Sequence, residues 1–360
     1  MYRPSEAAPF KTTHDVYMDD FTTLIGKFST TRCGIDIREA IRPEAMAQLN
    51  TTTGVAATRS LYAKQVFHYS TLDFEVTVNT TSADVGQLIN FLLKLGKIQL
   101  DNKKNSRNFG YLFVGVSPVG RDSGNTMRDH VQRIINEGQP DGILFLTTYL
   151  REPDDVCRVA APSVWTKPAF SDQPTFVHSL DFRRRLHIPK KMTQLLSLTP
   201  HGRFSTFFTN RRPTSDAEKK MNFDLLLECG ASTISSAIYY TCKNSGEQDY
   251  HHFHNASLTQ DPDVCDPIRL SRLIRSPEYE LYIGYDSVRL MKLKICKAHR
   301  EYGYQGGWVV FDLQLGDLYQ YCFEPKRSFG FVRAVRTCMD ERRSSCESVD
   351  SACTIQDPSP

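Results

Sequence analysis

Long apolar runs are missing from this 360-residue chain. Its least charged long stretch, Leu225 to Cys242, still holds Glu228 and five Ser or Thr residues, which makes it a poor membrane span. A large excess of one charge is also missing. Lys and Arg number 44 against 41 Asp and Glu, leaving +3. That excludes a generic polybasic coat, so any basic surface is local. The N-terminal Met1-Tyr2-Arg3-Pro4-Ser5-Glu6 is polar rather than charged-then-apolar. The expectation is a cytoplasmic and/or nuclear protein with no secretion signal. The ten cysteines lack regular short spacings and are expected as reduced thiols. The sequons at Asn50, Asn79 and Asn255 are then expected to carry no glycan. There is no internal repeat and no long low-complexity block.

Catalytic templates are missing as well. Gly115-Val116-Ser117-Pro118-Val119-Gly120 misses the nucleophile-elbow spacing by one residue, and Pro118 removes the N–H that an oxyanion hole needs there. Gly26-Lys27 lacks the upstream glycine of a phosphate loop. Gly303, Gly306 and Gly307 lack dinucleotide-binding spacing, and no His-Glu-x-x-His occurs. An enzyme reading therefore has no class attached to it. It would need a site assembled from distant residues.

What is present is ordinary globular usage, 40% hydrophobic and 24% charged, enough for a sizeable core. The length favours two domains. Helical spacing covers Thr13 to Phe28 and Ile37 to Leu49. Leu61–Tyr69 and Leu72–Asn79 alternate as a hairpin. Val85, Leu88, Ile89, Leu92, Leu93 and Leu95 line one face of a helix, with Ser82 as N-cap and Gly96 closing it. Gly110–Val116 and Gly142–Leu150 read as strands around a helix over Thr126 to Asn136. Prolines 153, 162, 168 and 174 punctuate the next segment.

Strands dominate beyond it. Residues 221–229 and 234–240 alternate as a hairpin, followed by Tyr279–Tyr285, Arg289–Cys296, Trp308–Leu315, Leu318–Phe323 and Ser328–Val335. In Arg289–Cys296, Met291, Leu293 and Ile295 alternate with Lys292 and Lys294. The expected fold class is α+β, with a mixed α/β domain over 12–152 and a predominantly antiparallel β-rich domain over 175–338. A tail over 339–360 is expected to be disordered.

Two short aromatic strands stand out. Arg327-Ser328-Phe329-Gly330-Phe331-Val332-Arg333 resembles the longer signature of the RNA-recognition motif family, with Ser328 in place of its first glycine and Ala334 in place of its last aromatic. Leu281-Tyr282-Ile283-Gly284 resembles the shorter signature. The resemblance implies that unpaired bases stack on Tyr282, Phe329 and Phe331 while Arg327 and Arg333 hold phosphates. The alternative is that these rings are core residues of an antiparallel sheet.

The densest positive run is Arg183, Arg184 and Arg185 with Lys190 and Lys191. It suits phosphate contact or nuclear import, or simply a solvated edge. Cys242, His251, His254 and Cys265 are the right donors for a structural zinc ion, although their spacing matches no finger. The reading from sequence is thus a non-enzymatic binding protein, contacting single-stranded RNA or another nucleic acid through the aromatic and basic residues. The alternatives are a structural or assembly protein working through protein partners or self-association, and an enzyme of unidentified class.

Overall fold

The structure is a computed structural model. It describes residues 33–37, 47, 50–56, 67–74, 80–105, 111–118, 125–148, 159–166, 173–206, 229, 232–236, 263–276, 281–286, 288–311 and 336. The chain divides into two compact units, each discontinuous in sequence. The first comprises 1–146 and 181–196, the second 147–180 and 197–360.

The first unit is organised by a parallel sheet. Strands β1 (Cys33–Ile37), β2 (Phe67–Phe74), β3 (Tyr111–Val116), β4 (Gly142–Phe145) and β5 (Thr193–Leu198) lie side by side in sequence order. Every neighbouring pair among them is parallel. Parallel neighbours need long crossovers. Helix α1 (Ser82–Asn105) follows β2, α2 (Asn125–Arg133) follows β3, and α3 (Phe176–Arg184) follows β4. Strands covered by helices on their faces are apolar throughout. Accordingly Leu112, Val114 and Val116 of β3 and Ile143, Leu144 and Phe145 of β4 are all buried, as are Val85, Leu88, Leu92 and Leu95 of α1.

Asp141 sets the register at the start of β4. Its carboxylate accepts from Leu112 N at 2.8 Å, its N–H donates to Leu112 O, and its carbonyl accepts from Thr193 N. One residue thereby ties β4 to the strands on both sides. Gly142 follows because nothing larger fits. A Cβ there would lie 2.6 Å from the Phe113 ring and 2.7 Å from the Thr193 carbonyl.

The second unit holds an antiparallel sheet in the order β7-β6-β10-β9-β8. Its members are β6 (His201–Thr206), β7 (Ser232–Ser236), β8 (Asp263–Asp266), β9 (Ser271–Ser276) and β10 (Leu281–Tyr285). Helix α4 (Val288–Tyr302) follows β10, and β11 (Gly307–Val310) comes next. β11 follows β5 in the order of the parallel sheet, and Phe311 N donates to Leu198 O.

These elements correct the expected α+β class, because a parallel sheet with helical crossovers runs through the first half. Several local readings change with it. The expected hairpin around residue 70 is one uninterrupted strand, β2, paired on both sides. Ser70 and Thr71 have no need to turn the chain there. Ile37 closes β1 instead of opening a helix. Helix α1 runs past Gly96 to Asn105. Its cap is Thr81, whose hydroxyl accepts from Asp84 N while Asp84 accepts from Thr81 N at 2.9 Å, a reciprocal capping box.

Arg289–Cys296 is part of helix α4, not a strand. Leu290, Met291, Lys294 and Ala298 are all buried, which is helical spacing. The alternation of Met291, Leu293 and Ile295 imitated a strand only because so much of the helix is covered. Cys229, Cys265 and Cys296 are disulfide-bonded, unlike the reduced thiols expected. The proposed helix over 13–28, the strands at 318–323 and 328–335 and the expected disordered tail lie outside the described residues.

Replacing Gly142 with alanine should cost about 1–3 kcal/mol, the usual scale for overpacking, because the Thr193 carbonyl that its Cβ would meet is backbone. Urea denaturation of Gly142→Ala would read the loss, and an unchanged midpoint would show that β4 is free to shift.

Candidate functional site

In open or closed parallel α/β sheets, ligands bind beyond the carboxyl ends of the strands, where loops converge. Beyond β3 that position holds Ser117, beyond β4 it holds Leu146, Thr147 and Thr148, and beyond β5 it holds Thr199. Within the second unit, the residues after β4 and the end of β5 make one hydroxyl cluster. Ser197 Oγ accepts from Thr147 N at 2.8 Å and from Thr148 N at 3.1 Å. Thr148 Oγ1 lies 3.0 Å from Ser197 Oγ, and Thr147 Oγ1 donates to Ser197 O. All three residues are buried. Among the described residues that directly follow β3, β4, β5 and β11 there is no carboxylate. Hydroxyls of this kind cannot serve as the acid of an acid–base pair.

A bridge between Thr148 and Ser163 leads from this cluster to a second polar group. Lys294, on α4, has no exposed side-chain surface and neither does Asp286, just after β10. Lys294 Nζ donates to Asp286 Oδ1 at 2.7 Å, to Ser163 Oγ at 2.7 Å and to Ser163 O at 3.1 Å, so its three protons are all used. Ser163 Oγ in turn donates to Asp286 Oδ2. Burial pulls the Lys294 ammonium below its ordinary 10.5, and the charge and hydrogen bond of Asp286 work against that pull. The ammonium also sits 5.7 Å from the centre of the Phe176 ring. A Ser–Lys pair is a known nucleophile arrangement, but this one is sealed from solvent and acts as a clamp.

The clamp is surrounded by rings. Trp165 stacks on Phe176 at 5.8 Å and meets Tyr302 edge-on. Trp308 lies against both Phe176 and Tyr304. Lys297 stands 5.3 Å over Trp165. Gly284 is required where the segment before Ser163 crosses β10. A Cβ there would come within 2.4 Å of Ala160 O.

The residues expected to act are placed differently. Tyr282 is only 8% exposed. It lies in β10 between Ser205 of β6 and Arg275 of β9, so it offers no open ring for a base. Phe329, Phe331, Arg327 and Arg333 lie outside the described residues. Arg183, Arg184 and Arg185 end α3 and begin the turn after it. There Arg183 bonds Gln194, Arg184 approaches Asp181 at 3.9 Å, and Lys190 and Lys191 are exposed.

Of the zinc candidates, Cys242, His251 and His254 lie outside the described residues, and Cys265 is disulfide-bonded, which removes the thiolate a metal would need. Among the described residues no group of three His, Cys, Asp or Glu side chains is arranged to hold a metal ion. Sequence reading missed Ser163, Asp286 and Lys294. The helical spacing of Leu290, Met291, Lys294 and Ala298 was the available signal.

Comparison with known proteins assigns the fold. No protein-family model matches the chain and no curated protein matches it. Solved structures do. A class V chitinase from Nicotiana tobaccum superposes with a TM-score of 0.58 at 12% identity, over 93% of this chain and 88% of that one. A chitinase from Trichuris suis, described as immunomodulatory active, gives 0.60 at 14% identity, over 92% and 87%. A GH18 chitinase from Cycas revoluta in complex with (GlcNAc)3 gives 0.60 at 12% identity, over 93% and 88%.

At such identities the likeness establishes fold alone. That fold is the α/β TIM barrel of these chitinases, which replaces the expected α+β class. The readings as a non-enzymatic nucleic-acid binder and as a structural protein are corrected by the same comparison, because the solved structures that share this fold are chitinases.

Removing one partner of the buried pair should be severe. Asp286→Leu or Lys294→Met alone is expected to cost about 3–5 kcal/mol, while the double variant costs less than the sum, because an uncompensated buried charge is worse than none. Equal additive losses in urea unfolding would contradict a coupled pair.

The pH dependence has a defined sign. With the folded-state value of Lys294 below 10.5, the unfolded chain binds this proton more tightly, so the contribution of this group to stability rises as pH climbs towards 10.5 and falls as pH drops. The stability of the wild type relative to Lys294→Met should therefore increase from neutral pH upwards. A flat difference would mean that Lys294 titrates as it does in the unfolded chain, and a falling one that Asp286 outweighs burial and raises its pKa above 10.5.

Proposed function

We propose that this chain is a carbohydrate-binding protein that holds N-acetylglucosamine oligosaccharides at the carboxyl ends of its barrel strands and does not hydrolyse them. The observation that carries the second half is the Thr147–Thr148–Ser197 cluster. Active sites of TIM barrels are built at this face, from residues at the ends of several strands. Hydrolysis of a glycosidic bond needs a carboxylic acid to protonate the leaving oxygen. Here the ends of β3, β4, β5 and β11 present hydroxyl and apolar side chains among the described residues. Fold and function separate readily when only the strand ends change. The ligand class is taken from the neighbours, one of which is a Glu-to-Gln variant of the tobacco enzyme in complex with NAG4, and another the Cycas enzyme with (GlcNAc)3.

We also propose that the chain matures in an oxidising compartment, a reading supported by the disulfide-bonded Cys229, Cys265 and Cys296. Thiol titration of the denatured, unreduced protein should find fewer free thiols than the ten cysteines of the sequence. A full complement would refute this.

Isothermal titration with the N-acetylglucosamine tetramer, followed by chromatography of the same mixture after prolonged incubation, tests the main proposal. Saturable heat with intact tetramer is the expected result. Absence of heat would remove the carbohydrate reading. Appearance of shorter oligomers would show that a carboxyl group completes the site and that the protein is a hydrolase.

A further inference from the structure

The basic run absorbed by none of the foregoing lies wholly in the first unit, on the turn that leaves α3. Arg184, Arg185, His187, Lys190 and Lys191 are all exposed. The acidic side chain in this segment is Asp181, which Arg184 approaches at 3.9 Å. Cations in the last turn of a helix offset its dipole, and that accounts for Arg183 and Arg184. It does not account for Arg185, Lys190 and Lys191, which lie beyond the helix.

The turn is also held in place. Gln132 on α2 clamps the His187 peptide at two points, accepting from His187 N at 2.8 Å and donating to His187 O at 3.0 Å. Arg185 N and Leu186 N close tight turns onto Phe182 O and Arg183 O, and Met192 N closes another onto Pro189 O. Arg128 and Arg133 on α2 are matched by Asp129 and Glu137, whereas among the described residues Arg185, Lys190 and Lys191 meet no carboxylate. Cations presented on a fixed backbone lose little freedom when they bind.

We infer that this surface binds a sulfated linear polysaccharide. Arg forks fit sulfate oxygens in pairs, and Lys adds point charge. A polyanion with bases to stack is the poorer fit. Single-stranded nucleic acid gains much of its affinity from open aromatic platforms, whereas the phenyl ring of this segment, Phe182, is fully buried beneath Arg185. The disulfide-bonded cysteines also belong to compartments where nucleic acid is not the prevailing polyanion. The basic residues precede β5, whereas Ser197 of the proposed carbohydrate site lies at its carboxyl end, and failure of this inference would leave that proposal standing.

The test uses the full chain and fluorescence anisotropy at two ionic strengths. The probes are a labelled heparin octasaccharide, a hyaluronan octasaccharide that carries carboxylates without sulfate, and a single-stranded RNA of matched charge. The variant carries Arg184→Gln, Arg185→Gln, Lys190→Gln and Lys191→Gln. The expected result is salt-sensitive heparin binding that the variant weakens by about tenfold or more, weaker binding of hyaluronan and RNA, and unchanged affinity for the N-acetylglucosamine tetramer. A thermal midpoint equal to wild type certifies the variant. Should it fall, Lys190→Gln/Lys191→Gln, confined to the exposed turn, decides instead. No heparin binding at low ionic strength, equal binding by the variant, or RNA binding as tight as heparin would each overturn the inference.

Discussion

A charged amine buried without any exposed surface constrains everything around it. Lys294 can lie inside the second unit only because Asp286 offsets its charge and Ser163 takes the remaining proton positions. Each of those partners is delivered by a different part of the chain. Lys294 comes from α4, Asp286 from the end of β10, and Ser163 from the segment that follows β4. Folding that failed to bring all three together would strand an ion in a low-dielectric interior, which costs several kcal/mol. The clamp thus specifies one arrangement of helix, strand and connecting segment. The ring cluster of Trp165, Phe176 and Trp308 fills the space beside it, and Gly284 leaves room for the Ala160 backbone to pass.

The parallel sheet supplies the other half of the logic. Asp141 bonds both neighbouring strands at the start of β4 and fixes how far the strand projects at its far end. That far end carries Thr147 and Thr148, whose groups are taken up by Ser197 at the end of β5. A strand end in a TIM barrel is a position where chemistry is usually installed. Here it is occupied by hydroxyls that bond one another. The proposal of binding without hydrolysis rests on these side chains.

Much of the fold was legible locally. The strands β3 and β4 and the helices α1 and α2 follow from apolar periodicity, although α1 continues to Asn105 rather than closing at Gly96 and β4 ends at Phe145 rather than Leu150. Three errors had physical causes. Met291, Leu293 and Ile295 alternate with lysines, and a lysine is ordinarily a surface marker. Lys294 violates that expectation because its partner Asp286 is eight residues away and Ser163 is far earlier in the chain. The stretch around Ser70 looked like a turn because polar residues interrupt it, yet in β2 both edges are paired. Tyr282 was read as an open stacking surface because a strand pattern cannot say which of its faces is covered.

What the sequence determined by itself was the local inventory: where apolar periodicity makes helices and strands, that charge is balanced overall with one dense basic segment at 183–191, and that no short motif for a cofactor or a nucleophile is present. Only the tertiary structure decided that the early strands run parallel, that Lys294 is an interior residue, that several cysteines are oxidised, and that the segment after β4 and the end of β5 meet through hydroxyls. The reason is that strand direction, burial of a charge and the makeup of a site depend on residues dozens to more than a hundred positions apart. Those partners leave no trace in the periodicity of any single segment.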